Sequence, residues 1–206
     1  MTKEGFLFPL PFFFLAGLSF YLFDRFVLFP LIYVSAAFFL LALLMMLFFR
    51  DPVRKIPEGD GLILSPADGR IIKCDNDSGG LSLSIFLSIF NVHVNRAPVT
   101  GTVKSVKFCP GRFFAAYKEE ALRGNQRNEI EIETQTGTVH FHQVTGAIAR
   151  RTIFRPAAGQ IVKAGERVGL IRFGSRVDLW LPPGSGLYVS RGQKVKGGQT
   201  ILGRLP

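Results

Sequence analysis

One stretch of this chain reads Lys163-Ala164-Gly165-Glu166-Arg167-Val168-Gly169, and a second, Ser190-Arg191-Gly192-Gln193-Lys194-Val195, repeats its plan of a glycine turn leading into a strand. A glycine at such a position permits the positive φ that a tight turn demands. Three weaker echoes, Asp68-Gly69-Arg70-Ile71, Thr100-Gly101-Thr102-Val103 and Ala158-Gly159-Gln160-Ile161, also place glycine just before a strand. The pattern predicts a domain of short strands joined by glycine turns.

The rest of the chain after Arg50 agrees with this prediction. Short β-type runs, such as 81–90, 129–134 and 138–144, alternate with turn residues, which is typical of a compact, mainly β domain. Residues 113–123 could form a helix and could equally be a loop. The two turns look like those of lipoyl-type hammerhead barrels, so we expect a lipoyl/hammerhead-like β-rich domain with few short helices. Such a likeness concerns fold and not function.

The first quarter of the chain has a different character. Residues 6–23 are almost wholly apolar, Asp24-Arg25 interrupt them, and residues 26–49 carry no charge. A helix needs about 20 apolar residues to cross a bilayer. We therefore expect residues 1–50 to form a hairpin of two transmembrane helices with Asp24-Arg25 at its tip, and residues 51–206 to form the β-rich domain. A signal peptide fits poorly, because no small-residue cleavage site follows the first run.

Basic residues indicate how this hairpin is oriented. Lys3 precedes the first run and Arg50, Arg54 and Lys55 follow the second, whereas only Arg25 marks the tip. The excess of basic residues near the termini predicts that both lie on the cytoplasmic side of the cell (inner) membrane.

The charge of the chain lies almost wholly in its second part. Residues after Phe49 hold 23 of the 25 basic and 13 of the 15 acidic side chains, so they carry the net charge of +10. Such a positive charge suits a protein that binds nucleic acid or an anionic phospholipid membrane. Because the chain also has the apolar hairpin, we expect the membrane as its partner and no nucleic acid. A solvated basic face without a specific partner is the alternative. Cys74 and Cys109 are too few for a disulfide framework and agree with a reducing compartment.

A Gly-Ser pair stands between two apolar runs, in Leu170-Ile171-Arg172-Phe173-Gly174-Ser175-Arg176-Val177-Asp178. A serine hydroxyl needs an activating base or a strained target to act as a nucleophile. Held tightly between two strands, the Ser175 hydroxyl could attack the Gly174 carbonyl and turn the amide into an ester. Elimination would then give dehydroalanine, and hydrolysis a pyruvoyl group. Most Gly-Ser pairs are ordinary turns, so the pair alone decides nothing.

Other motifs accompany this pair, in a fixed order from about Asp51 to the end of the chain. They are Ser65-Pro66-Ala67-Asp68-Gly69, Phe90-Asn91-Val92-His93-Val94-Asn95-Arg96-Ala97-Pro98-Val99-Thr100-Gly101, Asn128-Glu129, Gly146-Ala147-Ile148-Ala149-Arg150-Arg151, Ala164-Gly165-Glu166-Arg167-Val168-Gly169 and Phe173-Gly174-Ser175-Arg176-Val177-Asp178. The ordered set resembles the phosphatidylserine decarboxylase proenzyme family in its short, archaeal-type form.

The resemblance implies an activity and a self-made cofactor. Cleavage between Gly174 and Ser175 would give a large chain, 1–174, and a small chain, 175–206, that begins with a pyruvoyl group derived from Ser175. The amine of phosphatidylserine would form a Schiff base with this group, CO2 would leave, and phosphatidylethanolamine would be released. The pyruvoyl ketone would thus be the electron sink that pyridoxal phosphate supplies elsewhere. The sequence leaves open whether the chain forms a homo-oligomer.

Asp68 and His93 are the further catalytic candidates that the resemblance implies. Asp68 would support self-cleavage by orienting or polarising a base beside the serine, although Pro-x-Asp-Gly is also good turn chemistry. His93 would transfer protons during decarboxylation or maturation, although a lone histidine after an apolar strand is often structural. The long form of the family has a second histidine three residues later, where this chain has Arg96. Arginine stays protonated and is a poor general base.

Four residues are candidates for substrate binding. Arg96 could pair with the substrate's carboxylate or phosphate, and Arg150 with the phosphate, unless it belongs to a solvated basic pair. Asn128 matches the family without a role that its residue type explains. His142 could be an auxiliary base.

His140 and His142 share one face of a strand, a spacing that can bind zinc, but the further ligands of such a site are lacking. We therefore expect no metal. Phe108, Phe113 and Phe114 could form a lipid-facing lip or belong to the core.

Three other functions compete with the decarboxylase. A pyruvoyl decarboxylase of a soluble amino acid would not need the hairpin. A membrane-anchored lipoyl-like adaptor or transport-assembly protein would use the same turns without cleavage or catalysis. A zinc peptidase would need bound metal.

Overall fold

The computed structural model of the protein describes residues 3–77, 80–117, 120–147, 151–172 and 175–206. The chain divides into two compact units, Met1–Pro52 and Val53–Pro206. The first is helical and the second is built mainly of strands. The expected fold class, a β-rich domain preceded by two long apolar helices, is confirmed.

The N-terminal unit contains a short helix, α1 (Lys3–Leu7), and two long ones, α2 (Leu10–Phe26) and α3 (Pro30–Phe48). The segments Gly5–Phe26 and Pro30–Phe48 are long and apolar enough to cross a membrane by length and composition. Helices α2 and α3 pack against each other through aromatic rings and small residues, with Ala16 and Ala42 buried between them.

The turn of this hairpin lies at residues 27–29 and not at Asp24-Arg25, where the charge pattern placed it. Asp24-Arg25 belong to the last turn of α2, and Val27 ends the helix with a φ of +55° and an N–H bonded to the Phe23 carbonyl. Pro30 begins α3, a position where the missing proline N–H costs no helical hydrogen bond. The proline, and not the charged pair, therefore sets where the second helix starts.

The described part of the second unit contains fourteen strands and one short helix, α4 (Glu120–Gly124). The rest of the described stretch 113–123 is irregular, so only its end is helical. The strands are β1 (Leu62–Leu64), β2 (Gly69–Asp77), β3 (Gly80–Leu87), β4 (Val94–Arg96), β5 (Gly101–Cys109), β6 (Arg127–Thr134), β7 (Gly137–Val144), β8 (Thr152–Phe154), β9 (Ile161–Val162), β10 (Arg167–Ile171), β11 (Ser175–Leu181), β12 (Gly186–Leu187), β13 (Lys194–Val195) and β14 (Ile201–Arg204).

Eight strands form the main sheet, in the order β13-β2-β3-β11-β7-β6-β5-β9, with every described pairing antiparallel. Side chains alternate between its two faces. One face, here called the inner face, carries the buried core residues Leu83, Leu179, Phe141 and Ile130. The other, the outer face, carries charged and polar residues.

Two three-stranded sheets, β4-β10-β8 and β1-β14-β12, complete the described β structure. The turn before β10 and the turn before β13 use Gly165 and Gly192, with φ of +80° and +91°, as the turn plan predicts. Gly69 and Gly101 serve another purpose, since a Cβ there would lie 2.2 Å from the Phe86 carbonyl oxygen and 2.3 Å from that of Glu133. These two glycines allow a close approach of neighbouring strands.

One edge of the main sheet is here called the Ser175 edge. There β2 begins at Gly69, β3 ends at Leu87, β11 begins at Ser175, β7 ends at Val144, β6 begins at Arg127 and β5 ends at Cys109. The connections that leave these strands therefore gather around the start of β11.

Candidate active site

Ser175 occupies a buried position at the start of β11. It is 0% exposed, pairs with Leu87 of β3, and lies on the inner face together with Val177 and Leu179. Its Oγ has no hydrogen-bond partner among the described residues. A buried, unpaired hydroxyl costs about 1–3 kcal/mol. Serine is therefore a poor choice for stability here, which makes a chemical role the better explanation.

A second Gly-Ser pair in the chain, Gly184-Ser185, forms an ordinary turn. Ser185 lies in a turn and its Oγ donates to the Pro182 carbonyl over 2.7 Å. Gly184 has a φ of +85°, which suits that turn. The hydroxyl of Ser185 is thus satisfied locally, whereas that of Ser175 is buried and finds no partner in the part of the chain that the structure describes. Gly174 lies outside the described residues.

Three side-chain amides form a buried chain of hydrogen bonds near Ser175. Asn128 Nδ2 donates to Gln143 Oε1 over 3.0 Å, and Gln143 Nε2 donates to Asn95 Oδ1 over 2.9 Å. Gln143 lies opposite Val177 in the β7–β11 pairing, so it shares the inner face with Ser175. Asn95 is fully buried, yet its Nδ2 has no partner among the described residues. The chain of amides therefore ends in the Nδ2 group of Asn95, which could donate a hydrogen bond to an oxygen of a bound molecule.

His93 lies in the connection from β3 to β4, directly before β4, and is 2% exposed. Its carbonyl accepts a hydrogen bond from Ile171 N, four residues before Ser175. Its Nδ1 is 2.9 Å from the Asn91 carbonyl, which can only accept, so Nδ1 carries the proton of the neutral ring. The other nitrogen, Nε2, then holds the lone pair that a general base requires.

Asp68 directly precedes β2, whose first residue also lies at the Ser175 edge. Its two carboxylate oxygens lie 3.1 and 2.9 Å from Arg54 Nη2, and Oδ1 also accepts from Gly197 N–H over 2.7 Å. The second nitrogen of the guanidinium, Nη1, donates to Gln199 Oε1. The carboxylate is thus held by Arg54, a residue that was expected only to help orient the N-terminal hairpin in the membrane.

Arg96 lies at the far end of β4 from His93. It pairs with Arg167 of β10, is 7% exposed, and donates from Nη1 to the Gly165 carbonyl over 2.8 Å. Its side chain also packs against Gly198. This arginine therefore joins β4 to the glycine turn before β10, and it shares the 196–199 turn with Asp68.

His142 lies on the outer face, where it faces Asp178 across the β7–β11 pairing, and its ring is 4.5 Å from that of Trp180. Burial lowers the pKa of His142 to about 4, against the attraction of Glu129. The ring is therefore neutral at pH 7. The sheet separates it from the Ser175 hydroxyl on the inner face.

The outer face carries a buried ion pair that begins one residue after Ser175. Arg176 Nε lies 2.5 Å from Asp178 Oδ1, and its Nη2 donates to Ser84 Oγ over 2.8 Å. The two side chains are 3% and 1% exposed. Burial raises the pKa of Asp178 although Arg176 and Ser84 both favour its charged form. This pair fixes the start of β11 against β3.

Metal ligands are not grouped in the part of the chain that the structure describes: no three His, Cys, Asp or Glu side chains there could hold a metal ion. His140 Nδ1, which would join His142 in the zinc alternative, lies 3.7 Å from Glu131 Oε1.

Comparison with known proteins decides the family. The family model described as phosphatidylserine decarboxylase matches residues 41–203. The chain belongs to the phosphatidylserine decarboxylase family. It is 46% identical over 177 residues to the phosphatidylserine decarboxylase proenzyme of Ehrlichia ruminantium, covering 82% of this chain and 78% of the relative. It is 46% identical over 174 residues to the proenzyme of Symbiobacterium thermophilum (81% of each) and 44% over 176 residues to that of Burkholderia pseudomallei (82% of each).

The fold brings several of the family's candidate residues to one edge. Ser175 and Asn128 share the inner face, and Asp68 and His93 lie in connections at the Ser175 edge. Arg96 lies further along β4 and His142 on the outer face, while Arg150 is outside the described residues. Gln143, Asn95 and Arg54 are parts of the site that were not predicted from the sequence. Gln143 was detectable, because it is the polar residue at an inward position of the alternating run 138–144.

Proposed function

We propose that this protein decarboxylates phosphatidylserine to phosphatidylethanolamine, and that it does so with a pyruvoyl group formed from its own Ser175. The observation that carries the proposal is the buried hydroxyl of Ser175 at the first position of β11, which has no hydrogen-bond partner among the described residues, in a chain of this family. A hydroxyl that no described residue binds is available to attack the carbonyl that precedes it.

Self-cleavage follows from this availability. The Ser175 Oγ adds to the Gly174 carbonyl, the C–N bond breaks, and the two chains are joined by an ester while the Ser175 nitrogen becomes an amine. Loss of the α-proton then expels the Gly174 carboxylate and leaves dehydroalanine, which water converts to a pyruvoyl group and ammonia. The products are chain 1–174, ending in a carboxylate, and chain 175–206. The pyruvoyl group supplies a carbonyl that accepts the electrons of the lost carboxylate.

His93 is our candidate for the proton transfers. Its Nδ1 is committed to the Asn91 carbonyl, so Nε2 is the nitrogen that accepts and returns a proton. The backbone bond from Ile171 to the His93 carbonyl ties this histidine to the strand that leads to residue 175. Asp68 acts indirectly. Its carboxylate pairs with Arg54 and holds the 196–199 turn in place.

The buried amides suit the polar head of the substrate. Asn95 Nδ2 is a donor without a described partner, and the carboxylate or phosphate oxygens of phosphoserine are strong acceptors. Gln143 and Asn128 fix the orientation of Asn95, because each amide donates to the next. Arg96 and Arg150 are further candidates for the carboxylate or the phosphate of the substrate.

The N-terminal hairpin supports a membrane location for this reaction. Its two segments have the length and composition of membrane spans, and the basic residues at their outer ends favour the cytoplasmic side. A tethered enzyme meets a substrate that stays in the same bilayer. The adaptor alternative keeps the anchor and lacks the chemistry.

The test is lipid analysis of the full-length protein in phosphatidylserine-containing proteoliposomes. We expect phosphatidylethanolamine to form with the wild type and with Ser185→Ala, which removes the serine of the turn, and not with Ser175→Ala. Asp68→Asn should slow product formation. Absence of product from folded wild-type protein would favour the adaptor function, and release of CO2 from free serine would favour a decarboxylase of soluble amino acids.

A further inference from the structure

We propose that the Ser175 edge of the β-rich unit docks onto an anionic phospholipid bilayer, through an apolar rim flanked by basic residues. This inference rests on the proposed function and adds the surface by which the site reaches its lipid. The rim consists of Ile89, Phe90, Phe108, Phe113 and Tyr117.

Each residue of the rim is open to solvent although it is apolar or aromatic. The exposed fractions are 73% for Phe90, 64% for Tyr117 and 57% for Phe108. Ile89 and Phe113 are 47% and 36% exposed. Soluble proteins seldom expose such side chains together, and grouped exposure is typical of an interaction surface.

The strand pairings place these side chains at one edge. Ile89 and Phe90 follow Leu87, the β3 residue that pairs with Ser175. Phe108 pairs with Asn128 near the end of β5, and the 110–126 connection that carries Phe113 and Tyr117 leaves from the same end. Tyr117 packs edge-on against Phe86 over 6.2 Å. The rim therefore borders the start of β11.

At the opposite edge of the sheet, the β6–β7 hairpin turns through Gln135 and Thr136, both exposed and polar. Ile161 of β9, which pairs with Thr102 at the start of β5, is 72% exposed at that edge. The five residues of the rim are instead grouped around the start of β11, which favours a directed contact at the edge that carries Ser175.

Charge identifies the occupant as an anionic bilayer. Residues 107–127 hold five basic and two acidic side chains. Lys107 and Arg112, which precede Phe108 and Phe113 in the chain, are exposed, and so is Arg151, whose carbonyl accepts a hydrogen bond from Arg172 N. Basic residues are drawn to the anionic surface of a membrane, and aromatic rings favour the interface between headgroups and acyl chains. A phosphatidylserine molecule could then present its head to the site while its acyl chains stay in the bilayer.

The experiment compares two forms of the substrate with the full-length protein in nanodiscs. One substrate is long-chain phosphatidylserine in the bilayer, and the other is water-soluble dihexanoyl phosphatidylserine. The rim variant is Phe90→Ser/Phe108→Ser, and its matched control is Ile161→Ser/Tyr188→Ser, two residues that are 72% and 66% exposed elsewhere in the same unit.

We expect the rim variant to lose at least tenfold in rate on the bilayer substrate and to stay within about twofold of wild type on the soluble one. The control should match wild type on both. Equal loss on both substrates, or no loss on either, would overturn the docking surface. Failure of the wild type on both substrates would instead refute the proposed function.

A second readout is independent of activity. Trp180 is the single tryptophan, so a Trp180→Phe background allows one probe to be placed at Phe90→Trp or at Tyr188→Trp. Brominated acyl chains in an anionic bilayer should quench the first probe and spare the second. Equal quenching of both, or protection of the rim that depends on protein dimerisation, would contradict docking onto lipid.

Discussion

The buried Arg176–Asp178 pair allows a quantitative test of how the start of β11 is held. Arg176→Met removes the guanidinium but keeps the length of the side chain, and it leaves the Asp178 carboxylate 1% exposed without the one ion pair that the described residues give it. Loss of one partner of a buried pair costs about 3–5 kcal/mol, because the remaining charge is uncompensated. We expect the free energy of unfolding to fall by that amount at pH 8.

The loss should depend on pH in a defined direction. Burial already raises the pKa of Asp178, and removal of Arg176 raises it further. The folded variant then keeps its proton to a higher pH than the unfolded chain does, whose aspartate has a pKa of about 3.9. The contribution of Asp178 to the stability of the Arg176→Met variant is therefore most favourable at acidic pH. It is lost as the pH rises through the pKa of Asp178 in the folded state.

The chain provides a matched control on the same face of the sheet. Arg127 and Glu129 have the same spacing and an Nη2–Oε1 distance of 2.7 Å, but their side chains are 21% and 26% exposed. Because water compensates an exposed pair, Arg127→Met should cost no more than about 1 kcal/mol. The double variant Arg176→Met/Asp178→Leu should recover most of the loss, since it leaves no buried charge.

Denaturant unfolding in detergent, followed by Trp180 fluorescence, measures these differences. All variants carry Ser175→Ala, so that each sample is one uncut chain. A cost for Arg176→Met that equals that of Arg127→Met, or a double variant less stable than Arg176→Met alone, would refute the reasoning.

Two further predictions concern the main sheet and the β4-β10-β8 sheet. Protonation of His142 should quench the fluorescence of Trp180, 4.5 Å away, with a midpoint near pH 4; a midpoint near 6.5 would show that the ring is not buried as described. Gly169→Ala should destabilise the β-rich unit by about 1–3 kcal/mol in denaturant unfolding, because its Cβ would lie 1.9 Å from the Ile153 carbonyl oxygen. Gly186→Ala, whose Cβ meets nothing closer than 3.9 Å, is the control, and equal costs for the two would count against that packing.

The sequence was sufficient to predict the fold class, and the reasons are visible in particular residues. The uncharged run before Arg50 and the glycine turns at Gly165 and Gly192 follow local rules of length, polarity and φ. The charged pair Asp24-Arg25 does not mark the hairpin turn, because Pro30 determines where the second helix begins.

The candidate site was harder to predict, because its parts meet only in the folded sheet. Strand register decides that Gln143 shares a face with Ser175 and that His142, one residue before it, does not. The link between Asp68 and Arg54 spans 14 residues, and no local pattern indicates it. Motif order identified the family, whereas the amide chain required the pairing of β6 with β7.

The most direct test of the central claim is the intact mass of the purified wild-type protein beside Ser175→Ala and Ser185→Ala. Self-processing at residue 175 predicts a small chain of residues 175–206 with its N-terminus blocked by a pyruvoyl group, in the wild type and in Ser185→Ala only. A single uncut chain in folded wild-type protein would contradict the account.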